Sequence, residues 1–205
     1  MAAVRFDEIV AAARGLVEVG GVDALSMRKL AAEVGVAPTA IYWHVGSRDD
    51  LLNAVLDAMI ADLPPVAARG SGPRKRLASV ARSIRDQVRA TTPAQAVAAA
   101  VGRTAELSFP GQVALTREMQ AAGVQGAEAA QAVRAVLFLV GGFILLEDNF
   151  AHRAPGSRTT QELWQALDAD GSGIDPSLVK AMGKPANTDS LFDYAVDRLL
   201  ASILG

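Results

Sequence analysis

The side chains best suited to chemistry lie close together in the sequence: Ser26, Arg28 and Lys29, then Pro38, Thr39, Ala40, Tyr42, Trp43 and His44, then Arg48. This set is rich in cations and hydrogen-bond donors and holds no strong nucleophile. Brought onto one surface, such side chains are suited to binding a polyanion. Arg28 can pair bidentately with guanine or neutralise a phosphate. Thr39 can bond a base edge or a phosphate, while Pro38 and Ala40 can pack on thymine methyls. Tyr42 and His44 carry polar tips that reach phosphates, and Ser26 is suited to capping a helix. Lys29 and Arg48 can hold the phosphate backbone, Arg48 from a helix N-terminus that itself attracts anions. Lys29 fits a purely solvated place equally well. Trp43 fits a place half in the core and half in contact, and Ile41 and Val45 read as core.

Other chemistries find little support. There is no cysteine, which excludes disulfides, thiolate catalysis and Cys-ligated metals. One of the two histidines lies in the stretch just described, and no carboxylate pair is tied to an evident pocket. The Asp168–Gly173 run opens like a calcium loop, but Val179 stands where a bidentate glutamate belongs. Asp148 and His152, four apart near a helix end, read as an exposed pair. No metal site and no cofactor is expected.

The elements that position these residues are helices. Apolar spacing is helical almost throughout, no strand is convincing, and about nine or ten helices are predicted. Phe6, Ile9, Val10, Ala13, Leu16 and Val17 share one face of a first helix that Gly20-Gly21 ends. Ser26 caps a short second helix that Gly35 stops. Pro38 opens a third, running through His44, and a fourth runs from Arg48 to about Leu63. Helix resumes from about Arg74 to Ala90, and a short Ala-rich helix follows Pro93. Phe109-Pro110-Gly111 is predicted to be a turn, with a helix from Gln112 to Ala122 after it. The longest helix is expected from Ala127 to about His152, then a short one over Thr160–Leu167. Asp168–Asn187 reads as a loop, and a last helix carries Leu191, Phe192, Val196, Leu199, Leu200 and Ile203.

The second and third helices have helix-turn-helix spacing. Counting from Met27, the small Ala31 is fifth, Gly35 ninth and the apolar Ile41 fifteenth. The block GGVDALSMRKLAAEVGVAPTAIYWHVGSRDDLLNAV resembles the DNA-binding domain of the TetR family of bacterial transcriptional regulators. The resemblance covers residues 6 to about 60, and Tyr42-Trp43-His44-Val45 is especially like the tetracycline-repressor branch. It implies an all-α chain with a three-helix DNA-binding domain over residues 1–47. A larger effector-binding and dimerisation domain would occupy 48–205. It further implies a homodimer on a palindromic double-stranded operator, acting as a repressor that a small-molecule effector releases. Ile60, Leu63, Phe109, Arg134 and Phe138 are expected to line the effector pocket, Arg134 facing an anionic group. No histidine precedes the Pro110 turn, so tetracycline with magnesium is not implied. The alternative is an all-α small-molecule-binding protein or enzyme without DNA binding.

Charge alone argues little. The chain of 205 residues has 20 basic and 22 acidic side chains. Residues 1–102 hold 12 basic and 10 acidic groups, the remainder 8 and 12. DNA affinity must therefore come from a local patch, and it should fall with salt. Residues 69–89 hold seven basic groups and one acid, which fits a solvated face, auxiliary DNA contact or an acidic ligand. The longest uncharged apolar run, Ala135–Leu146, is short of a membrane span, and no secretion leader is visible. A cytoplasmic protein without a membrane partner is expected.

Overall fold

The computed structural model describes residues 4–151 and 156–205, and among these it contains helices and no strand. Helix α1 (Phe6–Gly20) opens with Asp7 and Glu8, acids suited to the positive helix end. The Glu8 carboxylate accepts from the Arg5 backbone N–H at 2.9 Å. The chain then turns back so tightly that a Cβ on Gly20 would lie 2.5 Å from that of Ala24. A 3-10 turn (Val22–Ala24) leads into α2 (Met27–Val34), where Ser26 Oγ accepts from the Lys29 N–H at 3.2 Å. Gly35 ends α2 in the left-handed region, φ +72°. Pro38 starts α3 (Pro38–Val45), and Ser47 with Asp50 forms a reciprocal capping box on α4 (Arg48–Ala61).

The second half continues with α5 (Pro73–Ala90), α6 (Thr92–Ala100), α7 (Thr104–Ala121) and α8 (Gly126–Ala151). After these come α9 (Thr160–Gln165), α10 (Ala169–Ser172), α11 (Pro176–Met182) and α12 (Thr188–Leu204). Two apolar cores result. The first joins α1 to α4 with Ala94, Val97 and Ala98 of α6. The second joins α5, α7, α8 and α12 around Leu77, Val80, Leu115, Met119, Val136 and Phe192.

Two expectations need correcting. The predicted turn at Phe109–Gly111 does not form, because α7 runs straight through Pro110. Proline removes one helix hydrogen bond there. Packing of Gly111, Leu115 and Met119 against α5 outweighs that loss, and α7 passes so close that a Cβ on Gly111 would lie 2.7 Å from Ile84. The predicted loop at Asp168–Asn187 contains α10 and α11 instead. Asp175 caps α11 by accepting from the Ser177 and Leu178 N–H groups, and Pro176 takes its first position. The calcium-like run is thus coiled into the single turn of α10.

Helix α8 is the predicted longest helix; its 126–148 stretch is 23 residues long with mean hydropathy 2.0, long and apolar enough to cross a membrane. The uncharged run Ala135–Leu146 is the middle of this longer helix. Its inner stripe, Val133, Val136 and Val140, is buried in the second core. The expected Asp148–His152 pair falls partly outside the described residues, since His152 is not among them.

The basic run at 69–89 also finds its place. Asp189, Asp193 and Asp197 recur every four residues and so share one face of α12. Facing them on α5, Arg89 meets Asp189 at 3.2 Å, Arg82 meets Asp193 at 2.8 Å and Arg74 meets Asp197 at 2.5 Å. Arg76 pairs with Glu118 of α7 through two bonds of 2.7 and 2.6 Å. Arg85, only 2% exposed, bonds Glu147 of α8 and lies 2.9 Å from Asp189. Five arginines of this helix therefore lace the second core together.

Candidate nucleic-acid interface

Helix α3 turns Ile41 and Val45 into the first core, against Leu30 and Ala31 of α2 and Leu51 and Leu52 of α4. With those two anchored, helical spacing sends Pro38, Thr39, Tyr42, Trp43 and His44 to solvent. Tyr42 is 52% exposed and Trp43 90% exposed. Trp43 is therefore not half in the core, as one reading of the sequence had it. Ala40 is half-buried at the helix shoulder. The result is a rigid helix offering a methyl-bearing, hydroxyl-bearing and aromatic surface with no acid on it.

Arg28 and Lys29 are exposed on the first turn of α2. Ser26 is half-buried and its hydroxyl is committed to capping α2. Arg48 departs from the expectation. Its guanidinium donates to the Val22 carbonyl at 2.8 Å and to the Leu25 carbonyl at 3.3 Å. It staples the start of α4 to the turn before α2, and so fixes the frame that carries α2 and α3. The neighbouring Asp50 carboxylate is held below the usual range by bonds from the Ser47 hydroxyl and backbone N–H. Its charge is answered locally and also favours the helix N-terminus.

The five residues expected to line an effector pocket do not come together. Phe138, 82% exposed, and Arg134 lie on the outer side of α8. Phe109 is exposed on α7, Ile60 packs against the first core, and Leu63 is half-buried beyond the end of α4. The outer stripe of α8 also includes exposed Ala135, Gly141, Gly142 and Leu145. Sequence patterning recognised this helix as apolar on every side, but it could not tell the inward stripe from the outward one.

One junction was missed. Arg103, just before α7, donates to Asn53 Oδ1 at 3.0 Å and to Asp57 at 2.7 Å, both on α4. It also bonds Glu106 of α7 at 2.6 and 2.7 Å. The carboxylates of Glu106 and Asp57 raise the guanidinium above its already high value, so it stays a cation. Arg103 thereby ties the helix that carries the α2–α3 frame to the second half of the chain. No local pattern pairs Arg103 with Asn53 and Asp57, which stand about fifty residues earlier.

A helix-turn-helix backed by its own core, followed by a larger helical bundle, defines the class of helix-turn-helix transcriptional regulators. Residues 9–55 match the family described as "Bacterial regulatory proteins, tetR family". An HTH-type transcriptional regulator of Saccharopolyspora erythraea is 34% identical over 171 residues, covering 80% of this chain and 70% of that protein. The chain therefore belongs to the TetR family, and it is a transcriptional regulator rather than an enzyme. The class A tetracycline repressor of Escherichia coli is 43% identical over 54 residues, 26% of this chain and 25% of that one. Among solved structures, apo ActR of Streptomyces coelicolor superposes with a TM-score of 0.68 at 24% identity, covering 100% of this chain and 96% of that one. ActR has also been solved in complex with actinorhodin, with a TM-score of 0.64 at 24% identity and coverage of 99% and 98%.

Proposed function

We propose that two copies of this chain pair through the outer stripe of α8 and the last helix, α12, and read a palindromic operator with their two α3 tips. Residues 1–47 serve as the reading head, and 48–205 serve for pairing and effector binding. Arg28, Thr39, Tyr42, Trp43 and His44 contact DNA, with Pro38 and Ala40 against thymine methyls and Lys29 on phosphates. Ser26 and Arg48 hold the frame. The observation that carries this reading is the near-complete exposure of Trp43 beside Tyr42 and Thr39 on a helix fixed from behind by Ile41 and Val45. An exposed indole on a rigid helix gains only when something covers it.

The regulator acts in the cytoplasm as a repressor, and a small molecule lowers its DNA affinity. The complex of ActR with actinorhodin supports an effector of that general kind. The effector works by population shift, preferring the arrangement in which the two α3 tips no longer match successive major grooves. Arg103, joining α4 to α7, is the route by which the bundle moves the reading head.

A gel-shift with genomic fragments flanking the gene for this chain tests the reading. A sequence-selective complex that weakens with salt is expected, and Arg28→Ala with Tyr42→Ala should abolish it. Undiminished selective binding by that double variant would refute the assignment.

A further inference from the structure

We propose that the cavity enclosed by the end of α8, α9, the 182–186 stretch and the start of α12 binds a small amphipathic anion with a flat apolar body. The inference rests on the reading that this chain answers to a small-molecule effector, and it names the site and the chemical class.

The interior of the α5–α7–α8–α12 bundle is occupied by its own side chains. Leu77, Val80, Leu115, Met119 and Val136 are fully buried there, and Gly111 brings α7 hard against Ile84. The cavity beside it holds about 530 Å³, within the range that suits a drug-sized ligand. Its walls carry Phe143 and Leu146 of α8, Trp164 of α9 and Leu191 of α12. These are ring and branched surfaces with which a flat apolar body can stack.

The sign of the ligand follows from the charges around the opening. Glu147 lines the cavity, but the guanidiniums of Arg85 and Arg89 hold it. Asp189 is held by the same two arginines, which keep its carboxyl below the usual range against the opposing cost of burial. Two acids thus answer two cations. Lys184 also lines the cavity, and no acid pairs with it among the described residues. At the rim, Glu162 caps α9 by accepting from the Thr159 N–H at 2.6 Å. Of the two charged residues on the wall itself, Glu147 is answered by arginines and Lys184 by no acid among the described residues, which favours a monoanion over a cation.

The site is also wired to the rest of the bundle. Phe143 meets Phe192 edge to face, with ring centres 5.2 Å apart. The Arg85 guanidinium sits 4.5 Å from the Phe192 ring centre and 5.9 Å from that of Phe143. A ligand stacked on Phe143 beside Glu147 therefore bears on the side chains that lock α8 to α5 and α12.

The test uses the full chain with Trp43→Phe, which leaves Trp164 as the remaining tryptophan. The probes are 8-anilinonaphthalene-1-sulfonate and its uncharged counterpart, N-phenyl-1-naphthylamine. The sulfonate should quench Trp164 emission saturably. Lys184→Ala should weaken the sulfonate by about fivefold, the scale of one partly exposed charge pair, and leave the neutral amine unaffected. Lys184→Glu should weaken it further. Absence of saturable quenching, or the same loss for both probes in Lys184→Ala, would overturn the proposal. Operator binding is measured separately in the chain that keeps Trp43. A chain that holds DNA but fails the dye test loses this site and keeps its standing as a regulator. A chain that passes the dye test but ignores DNA keeps the site.

Discussion

Trp43 and Ile41 are two positions apart on α3 and carry opposite loads. Ile41 is fully buried, and Ile41→Ala should cost about 3 kcal/mol of stability in a urea titration. Trp43 contacts little of its own chain, so Trp43→Ala should leave stability within about 0.5 kcal/mol while weakening operator binding. Arg48 should behave as a frame residue. Removing its two bonds to the Val22 and Leu25 carbonyls should cost about 1–2 kcal/mol in the same titration. The cap of α4 adds a pH dependence. Asp50 is held below the usual carboxylate range by the Ser47 bonds, so the unfolded chain takes up its proton more readily. The stabilisation is full above an ordinary carboxylate value of about 4 and is lost as pH falls through the lower folded value. Ser47→Ala removes the hydroxyl bond but keeps the backbone N–H bond, so it should reduce that acid-sensitive part, and loss of the cap should cost about 1 kcal/mol near neutrality. Urea titrations between about pH 6 and pH 3 would read both effects.

Between elements, exposure decides which ion pairs matter. Arg85 is 2% exposed, and Arg85→Met would leave the largely buried Glu147 to the longer contact with Arg89 at 3.3 Å, at a cost of about 3 kcal/mol. Arg82 and Asp193 are both near half-exposed, so Arg82→Ala should cost under about 1 kcal/mol. A thermal-melt comparison of the two variants checks the contrast. This is also where the sequence and the fold part company. The helix-turn-helix was legible because its signals are local: Ser26 as a cap, Gly35 in the turn, Pro38 at a helix start, and Ile41 and Val45 one turn apart. The α5–α12 ladder was half legible. The four-residue spacing of Asp189, Asp193 and Asp197 stands in the sequence, but nothing local says that it faces the arginines about a hundred residues earlier. The helix through Pro110 was not legible, because tertiary packing at Gly111 overrides a local breaker. The expected effector pocket was drawn on a related ambiguity. Phe138 and Arg134 fit a helical stripe, and periodicity cannot tell the stripe that meets a core from the one that faces away.

At the scale of the whole molecule, the outer face of α8 does the remaining work. Phe138 is 82% exposed and Leu145 62% exposed, with Gly141 and Gly142 between them leaving room for a close neighbour. Phe138→Glu should turn a dimer into a monomer in sedimentation at micromolar concentration without unfolding it, since the side chain packs against nothing in its own chain's core. Operator affinity should then collapse, although α3 itself is untouched. Two tips held at a fixed distance leave a signature in the DNA they prefer, and selection of binding sites from a pool of random duplexes reads it. The enriched sequences should contain two inverted half-sites with centres about one helical turn, or 10 base pairs, apart or at a multiple of that spacing. Enrichment of an isolated half-site, or of no sequence at all, would contradict the proposal that paired α8 helices set the spacing of two reading heads.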